Sequence, residues 1–224
     1  MGADAVTVTA GVAGPHFDPV PAEWAHAARL GPATLHEAGG RTGAVPSAIV
    51  SITGLPLVGP AFPVLSPPGD NLWWHRAVYV APVGAVLVVD VGPGQEYGYW
   101  GEILAEAAMA RGLRGLVTNG QVRDVTELRT LGFPVFAVGA CIRGTGKDPD
   151  SPGRLGAPVT LGDVEIAAGD LVVGDTDGVV VVPVDQLRRT LAAGDTRTES
   201  ERRTIEQLRS GATTLDLYGL DGKP

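Results

Sequence analysis

Hydrophobic and polar positions along the chain alternate between a helical period and short apolar runs. From Pro21, PAEWAHAARLG spaces its apolar residues as a helix does and ends in Gly31-Pro32, a stop signal. ATLHEAGG predicts a second short helix closed by glycines. VPSAIVSI is a β-branched run before Gly54, and GPAFPVLS reads as a strand entered through a Gly-Pro turn. Turn residues from Pro67 to Asn71 lead into a helix predicted from Leu72 to about Val80. GAVLVVDVG is short, almost wholly apolar and bounded by glycines, the pattern of a buried strand. The loop GPGQEYGYW then leads into the helix GEILAEAAMARG. RGLVTNG predicts a strand, DVTELRTLG a helix and FPVFAVG a further strand. This alternation predicts a parallel βαβ core.

The pattern then changes. APVTLGDVEIAAGDLVVGDTDGVVVVP is a series of short strands separated by Gly-Asp turns, which predicts hairpins. The closing stretch VDQLRRTLAAGDTRTESERRTIEQLRSG is helical in period and densely charged. No linker composition separates these parts. The expected organisation is a loose arm over residues 1–20 and a single α/β domain over 21–224 that includes the C-terminal helix.

Composition narrows the functional classes. Aromatic residues are 5% of the 224, so Val, Leu, Ile and Ala must build the core. The net charge of −8, with no basic stripe, argues against a nucleic-acid partner. The single cysteine, Cys141, excludes a disulfide framework within one chain and reads as a small buried apolar residue. No signal-peptide pattern and no membrane-length apolar run is present, so the expected location is the cytoplasm.

Several familiar motifs fail. GPGQEYG follows a strand, but its third glycine falls one position late for a dinucleotide loop, and Pro93 removes a backbone donor. There is no Walker loop and no GxSxG elbow. His16, His26, His36 and His75 form no HExxH pair, which argues against zinc.

One constellation remains. Glu102 is followed, after twenty intervening residues, by Arg123-Asp124 and then by Glu127. Read locally, Asp124 and Glu127 have capping-box spacing, and Glu102 complements a helix dipole. Read together, two consecutive βα units place acids at helix starts, where the carboxyl ends of parallel strands form a ligand crevice. Carboxylates without His or Cys partners suit Mg²⁺ or Mn²⁺ held largely through water. A neighbouring guanidinium suits a small carboxylate substrate.

With PGDNLWWHRA, VLVVDVG, WGEILAEAAMARGLRGLVTNGQVRDVTEL, LGFPVFAVG, GDLVVGDTDGVVVVP and LRSGATTLDLYGL, the chain resembles the class II pyruvate aldolases of the 4-hydroxy-4-methyl-2-oxoglutarate type and the related regulator of ribonuclease activity A. The resemblance runs from about Leu35 to Leu220. It implies a three-layer β/β/α swivelling domain that assembles as a homotrimer or homohexamer with active sites between subunits. It further implies a metal on Asp124, with Glu102 acting through water, Glu127 in the outer shell, and Glu201 (or Glu199) of a neighbouring subunit also acting through water. Arg123 and the backbone from Gly101 through Glu102 and Ile103 to Leu104 would hold the 2-oxo acid. The implied reaction is C–C cleavage that releases pyruvate through a metal-stabilised enolate, by retro-aldol cleavage or oxaloacetate decarboxylation, with Arg123 and Glu102 catalytic. The only lysines, Lys147 and Lys223, lie in polar loop or tail contexts, which favours metal over imine chemistry. Two departures from the family pattern stand out: Val83-Gly84-Ala85 at a turn, and Glu96, Tyr97, Tyr99 and Trp100 near the site, either as pocket walls or as packing. The competing reading is a non-catalytic protein-binding regulator. A methyltransferase reading lacks the glycine loop that S-adenosylmethionine needs.

Overall fold

The computed structural model describes residues 21–94 and 96–220. Its elements in chain order are α1 (Ala22–Ala38), β1 (Val50–Ser51), β2 (Leu57–Leu65), α2 (Leu72–Val80), β3 (Val86–Asp90), β4 (Gly98–Trp100), α3 (Glu102–Ala110), β5 (Gly115–Thr118), β6 (Gln121–Val122), α4 (Val125–Leu131), β7 (Val135–Ala137), β8 (Arg154–Leu155), β9 (Val159–Leu161), β10 (Val164–Ile166), β11 (Leu171–Gly174), β12 (Val179–Val182), α5 (Leu187–Arg209) and α6 (Thr214–Leu217). The expected arm at 1–20 lies outside the described residues, as does Lys223.

The main sheet runs β1-β7-β5-β3-β2-β11-β12, with β8 on β2. β2, β3, β5 and β7 are parallel, as the βαβ pattern requires. β2 is the joint between the two halves of the sheet. Leu57–Pro60 pair antiparallel with β11, and Ala61–Leu65 pair parallel with β3. The predicted hairpins are β9–β10 and β11–β12.

Burial on both faces explains the unbroken apolar runs of β3 and β5. On one face α2, α3 and α4 bring Trp74, Leu104 and Leu128 against Leu87, Val89 and Leu116. On the other, the β9–β10 hairpin brings Val159, Leu161 and Ile166 against Val86, Val88, Val117 and Phe136. The result is the expected β/β/α layering. Each fully buried Val or Leu contributes about 1.5–3 kcal/mol of burial. A third cluster joins α1 and the start of α5 to β11 and β12 through Ala27, Leu35, Leu187 and Leu191.

Three details differ from expectation. The two N-terminal helices are contiguous halves of α1, broken at Gly31 (φ 77°, ψ 161°), where Pro32 forbids a smooth continuation. The β-branched run at 45–52 yields only the two-residue edge strand β1. The loop expected at 92–100 ends in β4, which pairs in parallel with β6. Among the described residues, no helix is long and apolar enough to cross a membrane.

Candidate active site

The β4–β6 pairing brings the constellation together. Gly98 lies opposite Gln121 and Trp100 opposite Val122, and the Arg123 N–H donates to Trp100 O at 2.8 Å. The residues before α3 are thereby zipped to the residues before α4. Twenty intervening residues are one helix, one buried strand and a return to the same edge, so Glu102 meets Arg123 and Asp124.

Asp124 occupies the N-cap position of α4 but makes no side-chain cap bond there. Its backbone is left-handed (φ 56°), one of two such non-glycine residues among those described. Asp tolerates this conformation better than most side chains. Its Oδ2 instead accepts the backbone N–H of Glu102 at 3.1 Å. The capping-box reading is thus corrected: Asp124 caps the N-terminus of the neighbouring helix α3. Glu127 is exposed, and its side chain makes no hydrogen bond or ion pair among the described residues.

Arg123 Nε stands 3.8 Å from Asp124 Oδ2, with both side chains roughly half exposed. Glycine is required beside them. A Cβ on Gly101 would overlap Asp124 Oδ2 and come within 3.1 Å of Arg123 Cγ. Gly101 caps α3 without a side-chain bond, which leaves the first-turn N–H groups of Glu102, Ile103 and Leu104 without intrahelical partners. Glu102 and Ile103 are exposed, whereas Leu104 packs into the core.

Arg123, Asp124, Val125, Ala140, Cys141 and Ile142 line a cleft of about 490 Å³. Cys141 is half-buried at its wall, a correction to the buried reading, because its segment runs along the sheet edge and not through the core. A larger cleft of about 600 Å³ lies elsewhere, around His36, Arg41, Glu165 and Arg189. It contains none of the constellation, and the chemistry favours the smaller one.

Supporting polar residues, of which the sequence reading passed over Asp90 and Asn119, hold the strand ends. Asn119 Nδ2 donates to Asp90 Oδ1 at 2.7 Å, and the Val91 N–H donates to Asn119 Oδ1 at 2.9 Å. Asn71 Nδ2 donates to Tyr99 O, and the Gly69 N–H donates to Tyr99 Oη, both at 2.8 Å. Burial pushes the Tyr99 phenol above its ordinary pKa, against the pull of the Gly69 bond. Tyr99 stacks on Trp74 at 5.3 Å and Trp100 on Phe133 at 5.9 Å, so these two aromatics are packing. Tyr97 is half-buried, and the side chain of Glu96 is exposed. A polar residue ending each apolar strand was the available signal for Asp90 and Asn119.

The C-terminal acids lie outside this cluster in the single chain. Arg202 and Arg203 hydrogen-bond Glu199 and hold its carboxyl down at about 2. Glu201 pairs with Arg197 at 2.8 Å, and Arg197 also approaches Glu37.

Among the described residues no group of three or more His, Cys, Asp and Glu is placed to hold a metal. The donor set here is one half-exposed carboxylate, with one oxygen already accepting an N–H and exposed acids nearby. That set fits a hard divalent ion held by Asp124 and mainly by water, and does not fit a closed transition-metal cage.

A family model described as RraA-like, Aldolase/RraA, matches residues 18–181. A protein of Halalkalibacterium halodurans, provisionally named 4-hydroxy-4-methyl-2-oxoglutarate aldolase, is 36% identical over 135 residues, which are 60% of this chain and 63% of that protein. The match therefore spans less than two thirds of that relative. The crystal structure of an uncharacterized Pseudomonas syringae protein superposes with TM-score 0.76 at 26% identity, covering 93% of this chain and 96% of that one. The RNA-processing inhibitor RraA from Thermus thermophilus superposes with TM-score 0.61 at 26% identity, covering 67% and 91%.

Proposed function

The chain belongs to the RraA-like (Aldolase/RraA) family, and from that premise we propose that it is a divalent-metal-dependent lyase that cleaves a C–C bond of a 2-oxo acid and releases pyruvate. The observation that carries this reading is the turn of Asp124 away from its own helix to the start of α3, with Arg123 beside it in an open cleft.

The chemistry follows from charge. Breaking the bond next to the 2-oxo group leaves an enolate, and the site must stabilise that negative charge as it develops. Asp124 would hold Mg²⁺ or Mn²⁺, which would supply positive charge against the developing enolate. Arg123 donates its guanidinium N–H groups to the pyruvyl oxygens in a planar fork. The first turn of α3 presents N–H groups and the positive end of its dipole to the substrate carboxylate. Glu102, exposed at the same helix start, takes the proton from the distal hydroxyl in the cleavage direction and returns it in the aldol direction. Loss of CO₂ from oxaloacetate passes through the same enolate, so one arrangement serves both reactions.

A homo-oligomer belongs to the same reading. α5 is buried only through Leu187, Thr190, Leu191 and Gly194, and its second half, α6 and the residues after it expose Ile205, Leu215, Tyr218 and Leu220. A surface of this kind supports contact with a neighbouring copy, whose Glu201 or Glu199 would supply an acid to the site.

The test is pyruvate release from 4-hydroxy-4-methyl-2-oxoglutarate and from oxaloacetate, with Mg²⁺ and with a chelator. Metal-dependent turnover that disappears in Asp124→Ala is expected. Turnover of neither substrate, or full activity in that variant, would sink the reading. The similarity to the Thermus inhibitor supports a second one, a protein-binding regulator, which requires neither Glu102 nor Asp124.

A further inference from the structure

We propose that the cleft of about 600 Å³ around His36 and Arg189 and the apolar hollow beside it are one binding site, and that its ligand is a free α-amino acid with an aliphatic side chain. The site shares no lining residue with the cleft at Arg123 and Asp124 and stands apart from the lyase reading.

Two unlike cavities meet here. The larger one lies between the end of α1, the β9–β10 hairpin and the start of α5. The smaller one, about 220 Å³, is lined by the buried Val45, Ile49 and Val179 and by Pro32 and Ala33 of α1, with Ser47 and Asp177 as its exposed polar members. His36 and Ala44 line both. The size suits a small molecule, and the contrast in lining suits one with a charged head and an apolar tail.

The larger cavity carries both signs of charge. The hairpin supplies Asp163 and Glu165, whereas Arg41 comes from the loop after α1 and Arg189 from the first turn of α5. Among the described residues no ion pair joins either acid to either arginine; Arg41 instead holds Glu37, with its Nε at 3.1 Å. Opposite charges that share a cleft without closing on each other are bridged by a ligand that carries both. An α-amino acid head does this: its carboxylate accepts from a guanidinium, and its ammonium donates to a carboxylate. His36 adds an acceptor where the cavities join. Its Nδ1 lies 3.0 Å from Thr42 O, which can only accept, so Nδ1 carries the proton and the neutral ring keeps a lone pair on Nε2.

The walls are fixed without a ligand. The Val181 N–H donates to Gly43 O at 2.8 Å and the Val45 N–H to Val179 O at 3.0 Å, which fastens residues 43–45 along β12. A Cβ on Gly43 would overlap Val181 O, so the approach requires glycine. The hairpin turn seats on Pro46, whose Cγ is 2.5 Å from a Cβ position on Gly162. The Arg41 N–H closes α1 on His36 O at 2.8 Å. Walls held in this way lose little freedom on binding.

The experiment is calorimetry on the full-length protein with L-leucine and three truncated ligands: glycine, which lacks the side chain, 4-methylpentanoate, which lacks the ammonium, and 3-methylbutylamine, which lacks the carboxylate. Leucine should bind about 10- to 100-fold tighter than each, the range for a charged hydrogen bond or a buried leucine side chain. Ala33→Phe puts a ring into the apolar hollow from an exposed helix position and should remove the advantage over glycine. Glu165→Gln should reduce the advantage over 4-methylpentanoate, and Arg189→Gln the advantage over 3-methylbutylamine. No saturable binding of leucine, equal binding of any truncated ligand by wild type, or a leucine affinity unchanged in all three variants would overturn the inference.

Discussion

Asp124 Oδ2 accepts the N–H of Glu102 at 3.1 Å, so the carboxylate at the start of α4 caps the start of α3. One oxygen therefore ties two βα units together, with Arg123 Nε 3.8 Å away. The left-handed backbone at Asp124 is what turns its side chain from α4 towards α3. Structure and proposed chemistry meet in one residue, and substitutions separate them.

Asp124→Asn keeps an oxygen for the Glu102 N–H and removes the charge. Its unfolding free energy should stay within about 0.5 kcal/mol of wild type, while pyruvate release falls about 100-fold or more. Asp124→Ala should lose the activity and also about 1 kcal/mol of stability, the usual cost of a lost cap. Urea unfolding measured beside the pyruvate assay separates the two effects. An Asn variant with wild-type turnover would mean that the charge is not needed.

Gly101→Ala tests the close approach. Its Cβ meets the end of a side chain, which can move, so the protein should still fold. The displaced carboxylate should cost about 100-fold in kcat/KM, the penalty of an ångström-scale misplacement. Unfolding should shift by no more than about 1 kcal/mol, since Gly101 is an N-cap where Ala is the poorer residue. An unchanged kcat/KM would show that Asp124 need not sit where it does.

The contrast between Asp124 and Leu87 shows what was legible in the sequence. The run that contains Leu87 is apolar throughout because both faces of β3 are covered, and periodicity reads that directly. The helix at Leu72–Val80 is readable for the same reason, through its turn residues and its period. Asp124 looked like a local cap because spacing along a chain contains no information about a partner twenty-two residues away. β4 and β6 escaped notice because strands of three and two residues have no period. Those two strands bring Glu102 to Arg123 and Asp124, so the acids could be named from sequence but their contact could not be derived. The bond from Asn71 to Tyr99 was hidden for a related reason: it joins the cap of α2 to a three-residue strand, where no periodicity marks it.

Arg123→Lys keeps the charge and removes the fork. Lysine cannot give two parallel N–H bonds to the pyruvyl oxygens, so kcat/KM should fall about 10- to 100-fold. Folding should be unaffected, because the side chain is 46% exposed and its backbone N–H, which Lys retains, makes the bond to Trp100. Steady-state kinetics with oxaloacetate gives the answer. Equal kinetics in the two proteins would assign Arg123 a charge-only role.

His75 predicts a pH dependence of stability. Burial first, then the positive charge of Lys147, hold its pKa below the ordinary 6.5, while Asp70 pulls the other way. The unfolded chain therefore takes up a proton at a pH where the folded chain does not. Stability is fully present above about pH 6.5 and is lost as pH falls from there towards the lower folded-state value, with a slope of at most about 1.4 kcal/mol per pH unit. Urea midpoints for wild type and His75→Gln between pH 5 and 8 should show the shallower decline in the variant. Identical slopes would place the acid sensitivity elsewhere. The two proteins should converge at pH 8, where neither the folded nor the unfolded imidazole carries a proton and only the difference in packing between His and Gln remains.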